Sequence, residues 1–281
     1  MSWLGKARFR LTGFVARHFL TYGTDSFAKA LSKLGIVPGD VLMVHSSLHA
    51  NSGYRDRPVD MIGALKMAVG TRGLLVMPSM TYTDSSKAFL GRGEPMNQRR
   101  SPSKMGLLTE VFRRGKDVRR SLSPTHPLLA WGERAASFLD GHEKTERSFG
   151  PASPFQRLLD LDGKVLCIDA VPETVTFTHF LEDRIQDKLP FQFYDEAHHV
   201  GKVVDSEGRT LEVPTRVLSE ESRRRRREGA LWENARRRRV TRYARVGNTR
   251  LMLLRCRELA DLVDEMYANG ESLFSTGSLI K

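Results

Sequence analysis

Cysteine is scarce in this chain. Its 281 residues include only Cys167 and Cys256, far apart and each inside an apolar stretch, VLCIDA and LLRCRE. That excludes a disulfide framework or a cysteine-built zinc site, and each thiol reads as a small buried hydrophobe in a reducing compartment. Long hydrophobic runs are missing too. The longest, such as Val41 to Val44 and Leu74 to Met77, are strand-sized, well short of the roughly 20 residues that span a bilayer. The first residues lack the apolar core of a secretory signal, so a cytoplasmic protein is expected. There is no Walker A motif, no GxGxxG, no HExxH and no CxxC. Nucleotide hydrolysis, nicotinamide chemistry and zinc hydrolysis therefore have no support in the sequence, and no metal is expected. Internal repeats and flexible interdomain linkers are also lacking.

What is present is an ordinary globular composition, 40% hydrophobic and 28% charged, with a net charge of +12. The charge is unevenly placed. Residues 223–245 hold eleven arginines against Glu228 and Glu233, a net +9, and residues 1–21 add Lys6, Arg8, Arg10 and Arg17. The rest of the chain is left at −1. A near-neutral body is unlike a general polyanion binder, so each basic segment needs its own explanation. The first reads as an amphipathic helix over residues 1–23, with Leu4, Ala7, Leu11, Phe14 and Val15 on one face and Lys6, Arg10 and Arg17 opposite. Such a helix packs on the domain or lies on an anionic membrane surface as a peripheral contact. The second is a solvated surface or a site for an anionic partner. Only Trp232 and Tyr243 are interleaved there, and no nucleic-acid-binding motif accompanies them, so specific nucleic-acid binding is not expected.

From residue 24 onward, strand and helix signals alternate. DSFAKALSKLG is a helix that Thr24 or Asp25 can cap and Gly35 ends. VLMVH, a helix from about Asp60, and LLVMPSMT then form a β-loop-α-turn-β unit. Residues 84–103 read as a long ordered loop of the kind that carries function. KMGLLTEVFRRG, RAASFLDGH and RELADLVDEMYAN read as helices, and KVLCIDA and TRLMLLRC as strands. GKVVDSEG and TLEVPTRV read as a hairpin. The expected fold is α/β, a mixed central sheet flanked by helices over residues 24–281. Residues 190–245 would form a smaller lobe near the active site.

Two features suggest chemistry. His179 and Glu182 lie three apart in TFTHFLED, which puts both on one helical face. A carboxylate there can orient an imidazole and raise its basicity, as a general base requires. The spacing alone is a weak signal, since such a pair on a helix is usually just surface. The second feature is a set of polar loops at strand ends: His45-Ser46-Ser47, Pro78-Ser79 with Thr81, and Ser123, Thr125 and His126 before a strand. Such loops suit a phosphate-bearing ligand at the carboxyl edge of an α/β sheet, or serve only as turns and caps.

GDVLMVHSSLHANSG, GLLVMPSMTYT, SPSKMGLLTEVFRR, SPTHPLLAWGERAASFLDGH, FGPASPFQRL, TVTFTHFLED and VGNTRLMLLRCRELADLVDEM occur in this order. Together they resemble successive segments of the aminoglycoside 3-N-acetyltransferase family over about residues 24 to 281. The resemblance implies acetyl transfer from acetyl-CoA, or another acyl-CoA, to an amine of an amino sugar or aminoglycoside-like small molecule. His179 would be the general base, and Glu182 would orient it or hold the amine. CoA would lie along His45, Ser46, Ser47 and Leu48, Ser79, Ser103, Lys104, Met105 and Gly106, and Ser123 and His126. Val175 stands where the family has an asparagine, and IDAVPE replaces a glycine-containing run, so the acceptor pocket is expected to differ. The arginine-rich stretch matches the family least and suggests an amine on an anionic acceptor, phosphorylated, nucleotide-linked or glycan. Acyl transfer to a hydroxyl, and a non-enzymatic basic binding protein, are the other readings.

Overall fold

A computed structural model describes residues 18–49 and 51–275. Most of the expected N-terminal amphipathic helix, residues 1–17, lies outside the described residues. Helix α1 (Thr24–Leu34) ends on Gly35 in the left-handed conformation, as expected from its glycine. Its start differs from expectation. Gly23 is the N-cap, and the cap oxygen comes from far along the chain: Asp56 accepts from the backbone N–H and the hydroxyl of Thr24, at 2.6 and 2.7 Å. A distant carboxylate thus does the work expected of Thr24 or Asp25.

The central sheet is built from β1 (Val41–Ser46), β2 (Leu74–Pro78), β4 (Arg119–Arg120), β5 (Leu128–Trp131), β6 (Lys164–Ile168), β9 (Thr241–Val246) and β10 (Thr249–Arg255). The strand order is β4-β5-β2-β1-β6-β10-β9. β1 runs parallel to β2 and β6, and the remaining pairs are antiparallel. The sheet is therefore mixed, with its parallel strands at the centre.

Side chains of these strands alternate between two cores, as a period of two requires. Leu42, Val44, Leu75, Met77, Leu166 and Ile168 face α1, α2 (Pro58–Val69) and α4 (Leu107–Arg113), through residues such as Phe27, Met61 and Phe112. Val41, Met43, Leu74, Val76, Val165 and Cys167 face the other side. There they meet α5 (Ala135–Leu139), α6 (Pro154–Asp160), α7 (Phe177–Arg184), α9 (Glu228–Arg237) and α10 (Cys256–Ala268). Burial on both faces is why these strands read as unbroken apolar runs. Each such side chain contributes about 1.5–3 kcal/mol by leaving water. Both cysteines are buried free thiols. The turns are equally tight: a Cβ on Gly73 would lie 2.4 Å from the Val69 carbonyl oxygen and 2.6 Å from that of Asp40.

The expected hairpin is β7 (His199–Val204) paired with β8 (Thr210–Thr215). It forms a separate three-stranded sheet with β3 (Met96–Asn97). Residues 84–103 are thus less of a loop than their composition suggests. They contain α3 (Ser86–Gly91), whose start is capped by the Ser85 hydroxyl, as well as β3. The arginine-rich stretch begins in α8 (Glu220–Arg225) and continues through α9 and β9. Among the described residues no helix is long and apolar enough to cross a membrane.

Candidate active site

Because β1, β2 and β6 are parallel, Ser46, Pro78 and Ile168 end at one edge of the sheet. β5 is antiparallel and begins there, with Leu128 opposite Pro78. The loops expected to form the site are tied together at this edge. The Ser47 N–H donates to the Ile168 carbonyl at 2.9 Å, the Ser79 N–H to the Pro127 carbonyl at 2.8 Å, and the Lys104 N–H to the Met80 carbonyl at 2.8 Å. Gly106 comes so close that a Cβ there would sit 3.4 Å from the Ser46 carbonyl oxygen. The Leu48 N–H donates to the Ser46 hydroxyl at 3.2 Å, and the Met105 N–H to that of Ser103 at 3.3 Å. Segments 45–48, 79–80 and 103–106 therefore form one continuous rim.

Three buried polar atoms on that rim have no protein partner among the described residues: His45 Nε2, Ser79 Oγ and Thr81 Oγ1. Unsatisfied buried groups cost stability unless a ligand or water meets them. Ser123 differs. Its hydroxyl lies 3.3 Å from that of Ser148 and accepts from the His126 N–H at 3.2 Å, a scaffolding role.

α7 begins shortly after β6 and carries the expected pair. His179 Nδ1 is 3.0 Å from Glu182 Oε2, and the Glu182 side chain is only 2% exposed. The ring of Phe149 packs on His179 at 5.2 Å between centroids and on His126 at 4.6 Å. His126 is 6.3 Å from His179, again between centroids. Burial first, and the Arg226 charge second, push the His179 imidazole below its ordinary value. Burial, with His179 nearby, lowers His45 to about 4. His126 is held well below its ordinary value by burial and by the same neighbour. The three imidazoles are therefore neutral near pH 7. Burial alone would raise the Glu182 carboxyl, but its hydrogen bond with His179 and the Arg226 guanidinium outweigh this and hold it down.

Arg226 was not singled out by sequence. Its Nε donates to Glu182 Oε1 at 2.8 Å, and its terminal nitrogen reaches Glu182 Oε2 and His179 Nδ1. A run of five consecutive arginines offers no local signal for which one turns inward.

His179, Arg226 and His126 line a cleft of about 200 Å³ with Tyr82, Lys87, Tyr194, Arg216 and Arg223. A larger cavity of about 730 Å³ lies by β4 and β5, but no expected site residue lines it. Among the described residues, no three His, Cys, Asp or Glu side chains are grouped to hold a metal ion.

Three other arginines of the basic stretch pair with separate glutamates: Arg223 with Glu220, Arg225 with Glu221, and Arg238 with Glu265. His142 is buried and satisfied, with Nδ1 2.9 Å from the Ser121 hydroxyl and Nε2 3.0 Å from the Ser148 carbonyl oxygen.

The sequence model described as aminoglycoside 3-N-acetyltransferase matches residues 43–268, and the chain belongs to that family. Among curated relatives it is 33% identical over 163 residues to aminoglycoside N(3)-acetyltransferase IV of Salmonella sp., covering 57% of this chain and 58% of that protein. The match to the first such relatives thus spans less than two thirds of their length. A fuller match, 26% identical over 88% of this chain and 93% of the other, is the SPbeta prophage-derived aminoglycoside N(3')-acetyltransferase-like protein YokD of Bacillus subtilis (strain 168). The crystal structure of YokD superposes with a TM-score of 0.74 at 23% identity, covering 91% of this chain and 97% of that one. AAC-IIIb in a binary complex with CoASH superposes at 0.73 and 21% identity, covering 92% and 100%. AAC-VIa bound to sisomicin superposes at 0.71 and 23%, covering 90% and 99%. These likenesses establish the fold.

Proposed function

We propose that the protein transfers an acetyl group from acetyl-CoA to an amine of an amino sugar or aminoglycoside-like acceptor, with His179 as general base. The observation that carries this reading is the neutral, cleft-facing imidazole hydrogen-bonded to a buried carboxylate. Family membership supports the donor, as does the CoA-bound neighbour. So do the three unsatisfied polar atoms on the rim, which fit a ligand rich in amides and phosphates. When bound, acetyl-CoA supplies an activated thioester carbonyl.

In this reading the acceptor nitrogen attacks that carbonyl carbon while His179 takes the nitrogen's proton. The developing oxyanion needs donors, for which hydroxyls and backbone N–H groups of the rim loops are suited. The C–S bond then breaks. CoA leaves as a thiolate and receives the proton from the imidazolium, which returns His179 to its starting state. Charge in the cleft bears on the acceptor. Lys87, Arg223 and Arg226 on its lining are paired with Asp195, Glu220 and Glu182, whereas Arg216 has no carboxylate partner among the described residues and is the support for an acceptor carrying an anionic group. The test is release of free CoA from acetyl-CoA with a panel pairing cationic aminoglycosides and anionic amino sugars, for wild type and His179→Ala. Turnover lost in the variant supports the reading, and full turnover in the variant refutes the base. A preference for kanamycin or gentamicin would refute the anionic acceptor.

A further inference from the structure

We propose that Arg226 is a positioning residue that keeps Glu182 ionised beside a neutral His179; this rests on the reading of His179 as the base. Arg226 is anchored at both ends. It follows α8, and its N–H donates to the Ser222 carbonyl at 3.2 Å. The backbone on either side is laced to another segment: the Arg227 N–H donates to the Leu273 carbonyl and the Ser275 N–H to the Arg225 carbonyl, each at 2.7 Å. From this fixed base the guanidinium grips both oxygens of Glu182, and its remaining nitrogen meets Glu228 Oε1 at 3.1 Å.

Glu182 is 1% exposed. A carboxylate so deeply buried persists only with a counter-charge, and a neutral His179 does not supply one. Arg226 does. Imidazole and guanidinium thus converge on one buried carboxylate, Glu182 Oε2 lying 3.0 Å from His179 Nδ1, and the charge of that carboxylate is met by Arg226 and not by a second proton on His179. Without Arg226, the lone carboxylate would draw a second proton onto His179 and silence the base.

Titratable groups surround His179: His45 from β1 and His126 from the loop before β5, which both feel its charge, and Glu182 from α7 itself, which raises its proton affinity. Lys87, Arg216 and Arg223 line the cleft beyond it. Arg226 alone of the cationic side chains contacts both members of the pair among the described residues.

The experiment is an NMR titration of the His179 imidazole in the full chain, assigned by its loss in His179→Ala, together with kcat/KM against pH, for wild type, Arg226→Ala and Arg226→Lys. In Arg226→Ala the imidazole midpoint and the acidic limb should both rise, by about one pH unit or more, with the plateau down about tenfold. Lysine should restore the midpoint and leave the plateau low, because it keeps the charge and loses the two-pronged grip. An unmoved midpoint in Arg226→Ala overturns the proposal. If that variant does not fold, an unmoved midpoint in Arg226→Gln overturns it equally. The base reading fails separately, if His179→Ala keeps full turnover while the midpoint still responds to residue 226.

Discussion

Replacing Glu182 with glutamine isolates the carboxylate's charge with little change of shape. In the native chain Glu182 Oε2 lies 3.0 Å from His179 Nδ1 and Oε1 accepts from Arg226 Nε at 2.8 Å, inside the α7 face of the core. A hydrogen bond to a charged group contributes about 2 kcal/mol. Losing that contribution where the imidazolium forms should lower kcat about 30-fold. The shift in pH response has a definite sign. Burial and Arg226 lower the proton affinity of His179, and the Glu182 bond and charge raise it. Glu182→Gln removes the raising contributions, so the acidic limb of kcat should move to lower pH even as the plateau falls. Stability changes as well. Glu182 is held below its ordinary value in the folded state, so its contribution is complete above the unfolded carboxyl's range, near 4.5, and is lost as pH falls through the folded value. The variant should lack that acid dependence. It should also unfold at lower urea by about 3 kcal/mol, since Arg226 keeps only Glu228. The assay is thiol detection of released CoA from pH 5 to 9, with urea melts at the same pH values. A plateau and limb both unchanged would refute the role given to the carboxylate.

His142 gives a second pH signature. Burial lowers it to about 4 from 6.5, so its stabilising contribution is full above 6.5 and declines as pH drops towards 4. About 3 kcal/mol should vanish across that window, and His142→Gln should remove this part of the dependence in urea melts. Lys104, exposed on the rim, tests the donor site. Lys104→Ala should raise KM for acetyl-CoA about fivefold, the worth of one exposed charge pair of about 1 kcal/mol, with kcat unchanged. The difference should shrink in 0.5 M salt, as initial rates at varied acetyl-CoA would show.

Much of the scaffold is legible because burial on two faces writes itself into runs such as VLMV and LLVM, and glycine at 35 marks a helix end whatever surrounds it. The His179–Glu182 spacing likewise holds its meaning, since a helix converts three residues into one turn. What the sequence hides are contacts made across distance. The cap of α1 is Asp56, which no local rule connects to Thr24. β3 is two residues long and exists only because β7 pairs with it. Arg226 is one of five identical neighbours, and its direction is set by backbone bonds to 273 and 275. The charge count of the basic stretch suggests one anionic partner, whereas in the folded chain Arg223, Arg225, Arg226 and Arg238 pair with glutamates of three helices.

The lacing of residues 225–227 to 273–275 also orders events in time. Arg225 and Ser275 are 50 positions apart, so the ribosome has long finished the arginine when the residues that aim it emerge. A nascent chain that has reached β10 has made Glu182 and Arg226 but lacks both α10, which shares a core with α7, and the residues that lace 225–227. The proposed reaction centre is thus among the last parts that the chain can complete.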